Sequence, residues 1–150
     1  MRKQIVVAAD DEIPDGSYYT VPPIQSISAS SSVLNFIVVR HNYGQIAFKD
    51  EVDLTDIPSL TVLRDYIEIR RGSVIVYPKE STKAAEGTEL NVPAEVTLEQ
   101  MRPGPDVTNE DYMEELRAKP DTEFVSWDAE SGKWVFTVKS FSPATFRQPA

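Results

Sequence analysis

Cysteine is absent from this chain, and histidine occurs once, at position 41. The lack of cysteine excludes disulfide bridges, thiolate zinc sites and cysteine nucleophiles. The chain has six glycines and no glycine-rich phosphate loop of the GxGxxG or GxxxxGK type, so we expect no nucleotide cofactor. No apolar run approaches the roughly 20 residues that span a bilayer. The short apolar stretch from Ile5 to Ala9 lacks the length and cleavage site of a secretory signal. We therefore expect no membrane span.

Positive charge is scarcer than negative charge. The chain has 15 lysines and arginines against 24 aspartates and glutamates, a net charge of −9. Nucleic-acid affinity arises largely from cations that displace counterions around phosphates. Nucleic acid is therefore not expected as a partner, whereas a basic or mixed protein surface is.

The hydrophobic pattern favours many short strands and few helices. Strand candidates are 36–39, 45–48, 52–54 and 92–98, with hairpins at 66–70 with 74–77 and at 123–126 with 133–138. A helix is expected after Thr108, which is followed by Asp111 in the capping-box position and by the apolar stripe of Met113 and Leu116. A weaker helical turn is expected within 57–63, a short strand at Ile5 to Ala8, and a loop or a frayed helical turn at 26–32. No repeat or linker divides the chain, so the pattern predicts one α+β domain built on antiparallel sheets.

The titratable residues alone do not predict a catalytic or metal site. His41 stands just before Asn42-Tyr43-Gly44, where a lone histidine is usually a turn residue, and no flank resembles a nucleophile elbow. The acidic runs at 10–12 and 50–53 lack the central glycine and terminal glutamate of a calcium-binding loop. We expect no metal. Without further information, the residues indicate an interaction module.

Four collinear segments change this interpretation. Residues 15–22 (DGSYYTVP), 43–55 (YGQIAF, then VDLT), 71–98 (RGSVIVY, then GTELN and AEVTL) and 122–142 (TEFVSWD, then GKWVF and SFS) resemble the autoproteolytic, or autopeptidase, C-terminal domain of the FG/GLFG-repeat nucleoporins. Each segment alone is a weak match, but four in order cover most of the chain.

The resemblance implies both a fold and a function. The fold would be α+β, with an antiparallel β-sandwich-like core flanked by one or two short helices. The family's domain docks an FG-repeat nucleoporin onto scaffold nucleoporins of the nuclear pore complex in the nuclear envelope, and so supports nucleocytoplasmic transport of protein and mRNA. We expect a lead-in at 1–14, the domain at 15–142 and a tail at 143–150.

The same resemblance identifies a self-cleavage site. The family cuts itself between Phe and Ser of a His-Phe-Ser sequence, so Ser142 takes the nucleophile position, Phe141 carries the scissile carbonyl and Ser140 replaces the histidine. Side chains two residues apart in an extended strand share a face, so a histidine at 140 would reach the hydroxyl of Ser142. Ser140 cannot act as that base, and cleavage is expected to be lost.

Several alternatives remain open. The domain could still be an active self-cleaving serine autopeptidase at Phe141–Ser142, with His41 as a substitute base. Residues 140–142 could instead be a plain strand end, with Phe141 in the core and both serines facing solvent. The domain could also bind proteins away from the pore.

The uncleaved tail from Ser142 to Ala150 is expected to occupy the partner groove. The family also links the segment 43–48 to RNA, but Ile46 and Phe48 are expected to face the core.

Overall fold

The computed structural model describes residues 15–24, 32–78, 84–85 and 87–141. Within these ranges the strands are β1 (Tyr18–Val21), β2 (Ser32–Val33), β3 (Ile37–Arg40), β4 (Gly44–Phe48), β5 (Val52–Asp53), β6 (Ile67–Arg70), β7 (Ser73–Val76), β8 (Ala94–Leu98), β9 (Glu123–Trp127) and β10 (Trp134–Val138). The helices are α1 (Leu60–Leu63) and α2 (Asn109–Arg117). Neither of these helices has the length and hydropathy needed to cross a membrane.

Six strands form one antiparallel sheet in the order β1-β3-β4-β8-β10-β9. At its centre Ile46 of β4 lies opposite Val96 of β8, which in turn lies opposite Phe136 of β10. Two smaller antiparallel sheets pair β2 with β5 and β6 with β7. The predicted α+β class, with antiparallel sheets and two short helices, is confirmed.

One face of the six-stranded sheet is buried. Along β4, β8 and β10 every second residue is buried and the residues between are half-exposed, because successive side chains of a strand point to opposite faces. Ile46 and Phe48 face the core, as predicted. Phe48 stacks on Phe36 with 6.2 Å between ring centroids and meets the edge of Phe141 at 6.1 Å. The last described residue is therefore part of the core.

The first predicted hairpin is confirmed by β6 and β7. Ile67 lies opposite Val76, and Gly72 occupies the turn with φ of +81°, a conformation that glycine adopts without steric cost. Tyr77 follows β7 and is fully buried, and its hydroxyl accepts a hydrogen bond from the backbone N–H of Leu90 at 3.1 Å. Burial raises the pKa of the Tyr77 phenol, so this side chain stays protonated across the neutral range.

The second predicted hairpin and the capped helix are also confirmed. β9 pairs with β10, with a register irregularity next to Phe136. The hydroxyl of Thr108 accepts a hydrogen bond from the backbone N–H of Asp111 at 3.1 Å and so caps α2. Tyr112 of α2 meets Trp127 of β9 edge to face at 5.1 Å. This contact holds α2 against the edge strand.

The sequence pattern missed β1, which pairs with β3 at the opposite edge of the sheet. Only Thr20 of β1 is buried, so the strand lacks the apolar alternation that identifies the others. The predicted loop at 26–32 is wrong at Ser32, which begins β2; its other residues lie outside the described ranges. The predicted strand at 5–8, the lead-in at 1–14 and the tail at 143–150 also lie outside them, and the domain bounds remain predictions.

We predict that Gly44→Ala lowers the free energy of unfolding. A Cβ at this position would lie 2.3 Å from the carbonyl oxygen of Thr97 on the neighbouring strand, so β4 and β8 would have to separate. Overpacking of this kind costs about 1–3 kcal/mol or more. Gly104→Ala is the control, since no atom lies within 4 Å of a Cβ built there. Urea unfolding of the two variants measures the difference, and equal stabilities would contradict the assignment of this strand contact.

Candidate functional site

Ser140 and Phe141 follow the end of β10 and are both buried. Phe141 is fully inaccessible to solvent, and Ser140 is 7% exposed. The aromatic ring of Phe141 fills the core next to Phe48. The plain strand-end alternative is right about Phe141 but wrong about Ser140, which does not face solvent. Ser142 lies outside the described residues.

The backbone of Phe141 is held by Asn91, a residue that precedes β8. The Asn91 side-chain oxygen accepts a hydrogen bond from the backbone N–H of Phe141 at 2.6 Å, and its Nδ2 donates to the carbonyl oxygen of Ala84 at 3.0 Å. Asn91 itself is fully buried. Its own backbone N–H donates to Thr88 at 2.8 Å, and its carbonyl accepts from Gly87 at 2.7 Å. The orientation of residue 141, which carries the predicted scissile carbonyl, is thus fixed by a buried amide.

Sequence reasoning did not identify Asn91 as a site residue. The segment 87–91 carries part of the family resemblance, which implies no role for the asparagine. The one indication in the sequence is an amide side chain beside a predicted buried strand. A buried amide must find partners for its donors and acceptor, so it is expected to hold another segment. Which partner it finds depends on a contact across 50 residues, which the local pattern does not encode.

Ser140 lines a groove of about 600 Å³ beside the end of the sheet. The other lining residues follow β4, precede β8, or belong to β9, β10 and their flanks: Lys49, Pro93, Asp121, Thr122, Glu123, Thr137, Val138 and Lys139. Two lysines and two carboxylates give the groove a mixed charge. No imidazole contributes to this lining. A serine hydroxyl does not titrate near neutral pH, so Ser140 cannot receive a proton as histidine does.

His41 lies away from this groove, in the turn between β3 and β4. Its backbone N–H donates to Ser17 at 2.8 Å, and its carbonyl accepts from Gly16 at 2.9 Å. The turn joins the end of β3 to Gly44 at the start of β4, whereas Phe141 contacts Phe48 at the end of β4. At about 3.3 Å per residue, the two ends of this strand are roughly 13 Å apart. The expectation that His41 is a turn residue is confirmed.

The acidic run at 50–53 ends in β5, and its last residue, Asp53, bonds to a residue just after the strand. The carboxylate of Asp53 accepts hydrogen bonds from the hydroxyl and the backbone N–H of Thr55, and these bonds hold its pKa below the usual range. In the ranges that the structure describes, no group of three or more histidine or acidic side chains is arranged to hold a metal ion. The acidic run at 10–12 lies outside those ranges.

Comparison with known proteins gives a consistent family. The family model described as Nup98-96 autopeptidase S59 matches residues 15–145. Nucleoporin NUP145 of Chaetomium thermophilum is 35% identical over 141 residues, which cover 87% of this chain and 8% of that protein. Nuclear pore complex protein Nup98-Nup96 of Drosophila melanogaster is 33% identical over 162 residues, covering 90% of this chain and 8% of that protein. The chain therefore spans less than a tenth of the length of these relatives.

Solved structures agree with the sequence match. A threonine-to-alanine mutant of the Chaetomium thermophilum Nup145N APD, fused to Nup145C N, superimposes with a TM-score of 0.76 at 35% identity and covers 85% of this chain and 96% of that one. The C-terminal domain of NUP116 from Candida glabrata gives a TM-score of 0.75 at 29% identity, covering 93% of this chain and all of that one.

A third neighbour is a chain of the yeast heterotrimeric Nup82-Nup159-Nup116 nucleoporin complex, with a TM-score of 0.75 at 27% identity over 84% of this chain and 97% of that one. Fold, sequence and motif order therefore agree, and the chain belongs to the Nup98-96 autopeptidase family of nucleoporins found in nuclear pore complex proteins.

Proposed function

We propose that this domain docks an FG-repeat nucleoporin onto scaffold nucleoporins of the nuclear pore complex, and that it does so without cutting itself. The docking role is supported by family membership and by the neighbour whose chain belongs to a Nup82-Nup159-Nup116 complex. In this role the domain supports nucleocytoplasmic transport of protein and mRNA by tethering the repeats. The absence of self-cleavage rests on Ser140, which is buried two residues before the nucleophile position.

The loss of cleavage follows from proton transfer. Self-cleavage requires the Ser142 hydroxyl to attack the Phe141 carbonyl. A serine is a weak nucleophile until a neighbouring base removes its proton. A positioned general base contributes about 10²–10⁴ in rate, or roughly 3–5 kcal/mol of barrier. His41 is held in a turn at the other end of β4, so it is a poor candidate to replace the missing imidazole.

The groove beside Ser140 suits a partner segment of mixed polarity. It contains two amines, two carboxylates and the hydroxyl of Thr137, together with the apolar wall of Val138 and Pro93. A mixed lining of this kind fits a polypeptide better than a polyanion. Ser140, which lines this groove, lies two residues before Ser142, where the uncleaved tail to Ala150 begins. We infer that the tail and a partner segment compete for this space.

The first prediction concerns the mass of the folded protein. The chain should remain intact, because Ser140 cannot activate the nucleophile position. Intact-mass spectrometry after prolonged incubation at neutral pH measures this, and a species that ends at Phe141 would contradict the proposal. Ser140→His should restore some cleavage between Phe141 and Ser142. Ser140→Asn is the control, as it adds a polar side chain of comparable reach without a titratable nitrogen.

The second prediction concerns Asn91, whose amide orients the residue before the tail. Asn91→Ala should leave the buried N–H of Phe141 without its acceptor, which costs about 1–3 kcal/mol. Hydrogen exchange should therefore become much faster at the Phe141 amide than at amides in the middle of β8. Asn109→Ala, at the exposed start of α2, is the control and should leave this exchange rate unchanged. Unaltered protection in the Asn91 variant would show that other contacts orient this residue.

The third prediction locates the docking site in the groove. Thr137→Arg places a long side chain into the groove and should reduce the capture of scaffold nucleoporins from nuclear-envelope extract, with mass spectrometry identifying the captured proteins. Thr97→Arg is the matched control, since Thr97 is also half-buried on the outward face of a neighbouring strand but does not line the groove. A chain that ends at Phe141 should capture more than the full chain. Equal capture by all of these proteins would place docking elsewhere.

A further inference from the structure

Three arginines and two tyrosines alternate in space where β3 turns into β4. The guanidinium carbon of Arg64 lies 4.9 Å from the centroid of the Tyr18 ring, and that of Arg40 lies 5.3 Å from the same centroid. Arg40 and Arg71 each lie 3.9 Å from the centroid of the Tyr43 ring. Two guanidinium groups at this distance from one ring must stand on opposite faces. We call these five residues the arginine–tyrosine ladder.

Backbone contacts fix the centre of the ladder. Arg40 donates to the carbonyl oxygens of Gly16 at 3.0 Å and Ile69 at 2.6 Å. The Tyr18 hydroxyl accepts from the backbone N–H of Ile69 at 3.0 Å. These bonds connect β1 and β3 to the β6–β7 hairpin, so Arg40 and Tyr18 have a structural role. The guanidinium of Arg40 is therefore held in place before any ligand arrives.

The outer arginines are not explained by this structural role. Arg71 is an exposed residue and, within the described ranges, its side chain donates one hydrogen bond, to the carbonyl oxygen of Asn42 at 2.5 Å. The guanidinium of Arg64 has no hydrogen-bond partner in the described chain. In the part of the chain that the structure describes, no carboxylate oxygen lies within 4.0 Å of a guanidinium nitrogen of Arg40, Arg64 or Arg71. The two ion pairs found there involve Arg70 and Arg117. Three like charges are thus stacked on two rings with no ion-paired carboxylate among the described residues, an arrangement that an external anion would stabilise.

A recess of about 400 Å³ opens beside the ladder. Tyr18, Arg40 and Arg64 line it together with Arg70, and two acidic residues, Asp65 and Glu68, stand at the same opening with Thr61. Glu68 is already paired with Arg70 at 2.7 Å. The recess therefore offers the guanidinium of Arg64 beside the Tyr18 ring, and a guanidinium can bind a carboxylate through two parallel hydrogen bonds.

We propose that the arginine–tyrosine ladder binds an acidic segment of a protein partner, one rich in aspartate or glutamate. Such a segment places separate carboxylates on separate guanidinium groups while its backbone avoids the two acidic residues of the recess. A nucleic acid fits less well, because its evenly spaced phosphates would meet Asp65 and Glu68 at the opening of the recess.

The ladder and the groove beside Ser140 lie at opposite ends of β4. Arg40 pairs with Gly44 at the start of this strand, whereas Phe48 at its end contacts Phe141. The two surfaces are separate, so a partner can contact both or each can bind a different segment. Binding at the ladder consequently does not depend on whether the groove is the docking site.

The proposal is tested by fluorescence anisotropy of a short labelled glutamate peptide with the full chain at low salt. The Arg64→Glu/Arg71→Glu variant should weaken this binding by about tenfold or more, since it replaces two attractive charge-assisted contacts with repulsive ones. Arg102→Glu/Arg117→Glu is the matched control, because it changes the net charge by the same amount at exposed arginines outside the ladder. Arg64→Gln removes one guanidinium without breaking a described hydrogen bond, and it should weaken binding measurably in a chain that remains folded.

The comparison ligands are a glutamine peptide of equal length and a single-stranded RNA of equal charge. We expect the glutamine peptide not to bind and the glutamate peptide to bind more tightly than the RNA. Absence of glutamate-peptide binding to the unaltered chain would overturn the proposal. So would equal weakening by the two double variants, or tighter binding of the RNA, which would assign the ladder to nucleic acid.

Discussion

The hydrogen bond from the Phe141 backbone to the Asn91 side chain connects two buried segments that are 50 residues apart in the chain. Asn91 lies just before β8 and Phe141 lies just after β10, so the bond links the flanks of two neighbouring strands of the sheet. Phe141 can fill the space beside Phe48 only if its backbone donor has a partner, since an unpaired buried N–H would offset much of the gain from burying the ring. The position of Ser140, and with it the shape of the groove, depends on this bond.

Much of the fold could be predicted from the sequence because its strands alternate between buried and half-exposed residues. Both hairpins and the Thr108 cap are local features, and the structure confirms them. β1 was missed because an edge strand with one buried residue carries little alternation. Asn91 was missed for a different reason: a buried amide has no periodic signature, and its partner is 50 residues away. Predicting the residues around position 140 therefore required motif resemblance, whereas their orientation required the structure.

The distribution of charge shows how an acidic domain can still carry a cluster of basic side chains. The net charge of −9 argues against the binding of a polyanion across the whole surface. Charge balance along a sequence does not reveal where arginines gather, however. Arg40, Arg64 and Arg71 are separated by 24 and 7 residues in the chain, yet two tyrosine rings hold them in one row. Stacking on an aromatic face lets guanidinium groups approach each other without a carboxylate between them. All five residues can be read from the sequence, but only the structure shows that they are neighbours.

The burial of Phe141 has a mechanical consequence. β10 lies between β8 and β9 and is hydrogen-bonded on both sides along its length. A pull on the segment that follows Phe141 would load many of these bonds in shear at the same time, in addition to extracting an aromatic ring from the core. Strands pulled along their own axis resist far more than strands that are peeled from an edge. An attachment of this kind would keep thermal tugging on the C-terminal side of Phe141 from unravelling the sheet.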